Sequence, residues 1–312
     1  MESRLLRILL MHFMSLPRLI LPLLASVSIG SIVLAASPSV LTVTSLKDKN
    51  SPGTLRSMLK TAECGDVIEF APSLFSKGPG TIVLSSGLSI NTAVSVSGPG
   101  ADLLSIDGRG QYQVISITAN CQATDGCGVV GGGLAAVTLS GMTIRGGVSS
   151  GGGGVLISKN SCVNLVACRL VGNQTKTNGG GSSYGGGVYN RGILVMDQCV
   201  LEDNLAGLAS IPGNPGGTGG GLYNEGDAVV TRSLFVGNQA AFGGGLANGG
   251  GALIVESSTF SGNSDQSAAG GLFLDGGSAE LTNLTVVGNT SILGSGSIRA
   301  SDGGLAEIRN SI

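Results

Sequence analysis

From about residue 130, apolar and polar positions recur in one motif that is copied with variation, and its first full copy begins at residue 152. Each copy opens on small residues, mostly a run of glycines, continues as apolar segments and closes on an asparagine. The closing residues are Asn173, Asn204, Asn238, Asn263 and Asn289. They are separated by 31, 34, 25 and 26 residues, which is typical of a solenoid whose repeats stack on one another.

The strand pattern emerges on counting back from each closing Asn. Apolar residues two positions apart predict short strands, and the three-residue step between the eighth and fifth positions before Asn predicts a turn. The predicted inward rows are Leu170, Leu201, Phe235, Phe260 and Val286 (three before), Cys168, Cys199, Ser233, Ser258 and Leu284 (five before), Leu165, Met196, Val230, Val255 and Leu281 (eight before), and Val163, Leu194, Ala228, Leu253 and Ala279 (ten before).

Repeats of this length with two or three short strands each predict an all-β parallel β-helix, because no stretch keeps a helical period. Stacked coils would place the closing Asn residues in one row. We expect this row to occupy a tight turn, with left-handed backbone at Asn and an amide that bonds the next coil. We expect the glycine runs to supply positive φ at another corner.

The N-terminal region lacks the repeat. Arg4, Arg7 and Arg18 precede an apolar run from Leu19 to Ala36, which predicts a signal peptide over 1–35. An uncleaved membrane anchor is the alternative.

Residues 36–79 are predicted to form a cap region, and 80–312 the parallel β-helix repeats, of which the last is incomplete. In the cap region, Thr54 is the expected N-cap of one short amphipathic helix. Its apolar face would be Leu55, Met58, Leu59 and Ala62, and it would cover the first coil.

Composition excludes several classes of function. The formal net charge is −2 and the single histidine is His12, inside the predicted signal peptide. A mature chain without histidine excludes Ser-His-Asp hydrolysis and every His-ligated metal site. The chain has no excess of basic residues of the kind that binds nucleic acid. Although it has 55 glycines, it contains no G-K-S/T sequence, which a phosphate-binding loop requires. We therefore expect no catalytic residue, no metal and no cofactor.

The six cysteines contain no C-x-x-C pair. In an exported chain they permit disulfides, and Cys121 with Cys127 is the best candidate, since the two flank a short loop-like stretch. Cys168 and Cys199 occupy one inward row on adjacent coils. A disulfide would fit that spacing, but stacked buried thiols are the favoured interpretation.

The repeat resembles the polymorphic outer-membrane protein repeat family of bacterial surface proteins. That family carries GG-A/G-apolar and F-x-x-N motifs, and here F-x-x-N stands at 235–238 (FVGN) and 260–263 (FSGN). Residues 41–70 are similar to its head region, including the Leu55-Arg56 pair. The resemblance implies a right-handed parallel β-helix with an N-terminal cap. It also implies a secreted or cell-surface location, with outer-membrane or envelope association, in a bacterium.

The rival function is a polysaccharide lyase or glycoside hydrolase of the pectin-lyase-like class, which needs clustered carboxylates. Asp197 and Glu256 share a row but are separated by Thr231, and no row holds three acidic residues. Arg191 and Glu225 are predicted to form an ion pair between coils. These observations favour a non-enzymatic exported surface protein, adhesin-like or structural.

One surface remains a candidate for binding. Two long repeat spacings place insertions at 174–184 and 205–218, side by side at one corner. Tyr184 ends the first insertion, and alternation points Tyr189 and Tyr223 outward on neighbouring coils. We hypothesise that these tyrosines bind a glycan or a protein of a host or neighbouring cell. The alternative is an aromatic ladder that only shields the sheet.

Overall fold

The computed structural model describes residues 38–121, 129–130, 133–134, 136–176, 183–207, 216–301 and 303–312. Contacts divide the chain into Met1–Ala36 and Ser37–Ile312, and every described residue belongs to the second unit. The predicted signal peptide and Cys127 lie outside the described residues. Within the described part, no helix has the length and apolar character needed to span a membrane.

Parallel strands of successive coils stack into four ladders. The long strands β27 (Leu246–Glu256) and β30 (Leu272–Thr282) join the first two ladders into one sheet. The first ladder also contains β4 (Leu88–Ile90), β7 (Ile115–Ile117), β13 (Val155–Ile157), β18 (Val188–Asn190), β23 (Leu222–Asn224) and β33 (Ile298–Ala300). The second contains β1 (Val40–Val43), β2 (Val67–Phe70), β5 (Ser95–Ser97), β10 (Val137–Ser140), β14 (Cys162–Val166), β19 (Ile193–Asp197), β24 (Asp227–Thr231) and β34 (Leu305–Arg309).

The remaining strands complete the coils. The third ladder contains β3 (Gly80–Val83), β6 (Leu104–Asp107), β11 (Thr143–Arg145), β15 (Arg169–Val171), β20 (Val200–Glu202), β25 (Leu234–Val236), β28 (Thr259–Ser261) and β31 (Thr285–Val287). The fourth contains β12 (Val148–Ser149), β16 (Gln174–Thr175), β21 (Leu205–Ala206), β26 (Gln239–Ala240), β29 (Ser264–Asp265) and β32 (Thr290–Ser291). Two small pairs are β17 (Ser183–Tyr184) with β22 (Gly217–Thr218), which is parallel, and β8 (Val129–Val130) with β9 (Gly133–Leu134), which is antiparallel.

The architecture is thus an all-β parallel solenoid of about 9 turns, as the repeat predicts. Its core is the interior of the coils, where the predicted inward rows are buried from the first repeat onward and become partly exposed only at Val286. Phe235 and Phe260 stack face to face in this core, with ring centroids 4.5 Å apart. Right-handed winding stays a prediction from the family resemblance.

The closing Asn residues form a buried hydrogen-bonded ladder between coils, as expected. Asn204 is typical: its Nδ2 donates to Asn238 Oδ1 at 2.9 Å and to the Leu170 carbonyl at 2.9 Å, and its Oδ1 accepts from Asn173. The expectation of left-handed backbone at Asn itself is wrong. The positive φ falls one residue earlier, for instance at Asp203 with φ 52°, a position that is glycine in the other four repeats because glycine adopts left-handed backbone at little steric cost.

The glycine runs occupy a second corner and fulfil the predicted role. The first glycine of a run has positive φ, as at Gly185 with φ 62°. The second leaves no space for a side chain, since a Cβ at Gly186 would lie 2.5 Å from the Gly220 carbonyl oxygen of the next coil. Glycine at this corner is therefore required by backbone packing between coils.

The N-terminal region forms the predicted helix α1 (Leu55–Thr61), followed by a 3₁₀ turn at Pro72–Phe75. Thr54 caps α1 by accepting a hydrogen bond from the Ser57 amide, and Leu55 is buried. Arg56 pairs with Asp48 at 2.7 Å and donates to the Ser86 and Gly87 carbonyls. Strands β1 and β2, which fall in the region predicted as a cap, already belong to the long sheet.

Candidate functional site

The register of the first ladder brings the predicted tyrosines together. Tyr189 of β18 pairs in register with Tyr223 of β23, and the residues before them, Val188 and Leu222, are buried. Because side chains alternate along a strand, both tyrosines point away from the core. Tyr184 reaches the same place from β17. We call Tyr184, Tyr189 and Tyr223 the tyrosine face.

The three rings of the tyrosine face pack against one another. The Tyr184 and Tyr223 rings stack with centroids 4.7 Å apart, and the Tyr189 ring is tilted against them at 5.5 and 5.4 Å. All three side chains are partly buried. Aromatic contacts of this kind add about 0.5–1.5 kcal/mol per pair beyond the area buried, so the cluster is a fixed surface feature.

An ionic pair borders the tyrosine face. The Tyr189 hydroxyl donates to Glu225, and the Arg191 guanidinium lies over the Tyr189 ring, 5.8 Å from its centroid. Arg191 and Glu225 pair across neighbouring coils at 3.3 Å, which confirms the predicted ladder ion pair. The tyrosines thus have one edge that offers both a hydrogen-bond donor and an acceptor.

The surroundings raise the pKa of two of these tyrosines. Burial, and then the hydrogen bond to Glu225, raise the pKa of Tyr189 far above its usual value. Burial and the charges of Tyr184, Glu225 and Asp275 raise the pKa of Tyr223 to about 12. Both hydroxyls therefore keep their protons at physiological pH and remain hydrogen-bond donors.

The aromatic surface continues along the solenoid, which the sequence reasoning missed. A second hydrophobic cluster lies apart from the interior core, with Phe273 buried in it and Phe242 and Tyr223 packed against it. The Phe242 and Phe273 ring centroids lie 6.2 Å apart. The register of the first ladder could have predicted part of this surface. It places Phe273, Ala247 and Tyr223 at equivalent positions of successive coils, shortly after the glycine runs.

An open depression of about 280 Å³ adjoins the ionic pair at the corner between the first two ladders. Arg191, Glu225 and Asp227 line its sides, and Gly192 and Gly226 belong to its wall. These glycines stack so tightly that a Cβ at Gly226 would lie 2.0 Å from the Gly192 carbonyl oxygen. Small residues at this corner therefore leave a polar recess beside the tyrosine face.

Asp197, one of the carboxylates considered for lyase chemistry, has other partners. Asp197 accepts hydrogen bonds from the Thr231 hydroxyl at 2.7 Å and from Arg232. The hydrogen bond from Arg232 lowers the pKa of Asp197 and outweighs its slight burial. Among the residues that the structure describes, no group of three or more His, Cys, Asp or Glu side chains could hold a metal ion.

The cysteines require one correction. Cys121 is bonded to Cys162, with a Cα–Cα distance of 5.5 Å, and not to Cys127. Coil stacking explains the pairing, because it brings residues 41 apart in sequence next to each other, as the hydrogen bond from the Cys121 amide to the Asn160 carbonyl also shows. Cys64 is likewise disulfide-bonded. Cys168 and Cys199 are free and buried, which confirms the favoured interpretation.

The fold therefore defines the class of the protein as an all-β parallel β-solenoid with a helix near its N-terminal end. No protein-family model matches this chain, and no curated protein matches it.

Proposed function

We propose that this chain is a non-enzymatic bacterial surface protein, adhesin-like, that binds a glycan or a cell-surface protein through the tyrosine face. The observation that carries this proposal is the outward cluster of Tyr184, Tyr189 and Tyr223 beside the Arg191–Glu225 pair. The repeat motifs and the predicted signal peptide support export, and the resemblance to the polymorphic outer-membrane protein family supports a place at the cell surface.

The chemistry of the tyrosine face suits such a ligand. Tyrosine offers apolar area at little conformational cost together with a hydroxyl, a combination that is enriched at binding interfaces. Stacking on a parallel solenoid fixes the rings before binding, which lowers the entropy lost on association. The recess beside Glu225 and Asp227 adds hydrogen-bonding groups that could orient a sugar or a peptide.

The test is binding of the purified protein to a glycan array and to cultured epithelial cells. We expect the double variant Tyr189→Ala/Tyr223→Ala to lose binding while its circular dichroism spectrum stays that of a β protein. Leu234→Ala, on the outer side of the third ladder, is the matched control and should bind normally.

Treating the cells with protease or with glycosidases separates a protein ligand from a glycan. Unchanged binding by the double variant would contradict the proposal. A separate incubation of the purified protein with pectin, with and without Ca²⁺, tests the alternative. Release of unsaturated products would support a polysaccharide lyase.

A further inference from the structure

Cys168 and Cys199 stand one above the other in a buried column at the turn between the second and third ladders. The residues on both sides of the turn pair in register, Val166 with Asp197 and Arg169 with Val200. Neighbouring coils lie about 4.8 Å apart. That spacing falls within the Cα separation of about 4.4–6.8 Å that a disulfide spans.

The two thiols contact each other directly. A side-chain hydrogen bond joins them, and each Sγ also lies 3.4 Å from a backbone carbonyl, that of Leu139 for Cys168 and that of Leu165 for Cys199. The hydrogen bond from Cys199 lowers the pKa of Cys168 in spite of burial. The same contact, together with burial, raises the pKa of Cys199. Cys168 also lines the depression described next, and we assign it as the nucleophile and Cys199 as the resolving thiol.

An open depression comes close to one member of this pair. An open depression of about 410 Å³ lies on the outer side of the third ladder, and Cys168 is part of its lining. Arg169, Gln198 and Glu202 also line it. Cys168 is only 1% exposed, so a protein thiol oxidase cannot contact its sulfur and any oxidant must be small.

We propose that Cys168 and Cys199 are an oxidation site at which hydrogen peroxide closes a disulfide between adjacent coils. The Cys168 thiolate attacks one peroxide oxygen, the O–O bond breaks, and the departing hydroxide takes up the proton that Cys168 released. Cys168 is then a sulfenic acid. The Cys199 sulfur attacks the Cys168 sulfur, the S–O bond breaks, and the leaving hydroxide takes the Cys199 proton. Two thiols are oxidised to one disulfide, and one peroxide is reduced to two waters.

The same chain already contains a disulfide of this kind. Cys121 and Cys162 join residues that coil stacking brings together, just as Cys168 and Cys199 are brought together. The difference lies in position. The reduced pair belongs to the interior hydrophobic core cluster, whereas the bonded pair lies outside that cluster. The reduced pair would therefore respond to a diffusible oxidant after folding, when the bonded pair is already complete.

The test is exposure of the native protein, with its existing disulfides intact, to hydrogen peroxide, followed by alkylation and peptide mapping without reduction. We expect one new cross-link between the peptides that contain Cys168 and Cys199. Absence of that cross-link, independent oxidation of the two sulfurs to sulfinic acids, or a cross-link that forms only in denaturant would overturn the proposal. This measurement needs no variant.

Serine variants assign the roles, and Ser233 and Ser258 hold the same column on the next coils, so serine fits there. In Cys199→Ser, Cys168 should stop at the sulfenic acid and be trapped by a 1,3-dicarbonyl reagent. In Cys168→Ser, the remaining Cys199 should react with peroxide at least about tenfold more slowly than Cys168 does in Cys199→Ser, because Cys168 and not Cys199 lines the depression. Equal reactivity of the two single variants would contradict the assignment of Cys168 as nucleophile.

Discussion

The Asn corner and the tyrosine face lie on the same coils but use stacking differently. At the Asn corner the same side chain repeats from Asn173 to Asn289, and each buried amide hydrogen-bonds to the next. At the tyrosine face the row changes from Leu156 to Tyr189, Tyr223 and Ala247, and the side chains are mostly partly exposed. A row of identical side chains keeps the coils at a constant spacing. A row whose side chains differ from coil to coil gives a few coils a surface of distinct chemistry.

The largest expected effect is at the Asn corner. Asn204→Ala would remove the acceptor of the buried Asn173 backbone N–H and the side-chain donor to the Leu170 carbonyl, while Asn173 Nδ2 keeps its hydrogen bond to the Ile144 carbonyl. At about 1–3 kcal/mol for each affected group, we expect a loss of roughly 3 kcal/mol in the free energy of unfolding. Urea denaturation measures it. Asn289→Ala is the control, since Asn289 is only partly buried, and it should cost about half as much. Equal costs would mean that burial does not govern this ladder.

A smaller effect on stability is expected at the tyrosine face. Tyr223→Ala removes two ring contacts but opens no cavity in the interior core. We expect a loss of about 1–2 kcal/mol in the free energy of unfolding, from ring contacts and partial burial. Thermal unfolding measures it, and Tyr223→Phe, which keeps the ring, should lie close to wild type. If Tyr223→Ala lowered the free energy of unfolding as much as Asn204→Ala does, the tyrosine face would be needed for the stability of the fold.

The tyrosine face should also respond to high pH, and the Asn corner should not, because Asn does not titrate. The raised pKa values of Tyr189 and Tyr223 mean that the folded state holds protons that the unfolded chain loses near pH 10. The contribution of these protonated tyrosines to the free energy of unfolding is fully present below about pH 10. It is lost as the pH rises toward about 12. Unfolding free energies across this range should fall less steeply in Tyr189→Phe/Tyr223→Phe. An identical slope in variant and wild type would contradict the assignment.

The smallest expected effect concerns the ionic pair. Arg191 and Glu225 are 39% and 35% exposed, so solvent screens their attraction. A double-mutant cycle with Arg191→Ala and Glu225→Gln should give a coupling free energy below about 1 kcal/mol. Binding in the glycan array is the sharper readout, because the pair borders the tyrosine face. A coupling above about 2 kcal/mol would show that the pair supports the fold itself.

Periodicity made the interior predictable. Leu165, Met196 and Val230 could be assigned to one inward row because a strand alternates its side chains and the closing Asn set the register. The same reasoning missed a second buried Asn row, Asn190 with Asn224 and Asn248, which repeats in only three coils.

Features that depend on contacts between distant residues were less accessible. The partner of Cys121 depends on how the irregular first coils stack, and nearness in sequence suggested the wrong cysteine. The row that contains Tyr223 and Phe273 could have been read from the register, but Phe242 stands at a different offset from the closing Asn and lies outside that row. The outward direction of Tyr189, by contrast, follows from the strand period alone.

The Asn ladder has a consequence for how the protein can vary. Asn204 and Asn238 are 34 residues apart and Asn238 and Asn263 are 25 apart, yet both amide pairs are joined by hydrogen bonds of 2.9 Å. The pitch of the solenoid is therefore independent of the contour length of each coil. Sequence can be added or removed at the corner near Tyr184 without shifting the coils above and below. The molecule can acquire new display segments while its scaffold keeps the same dimensions.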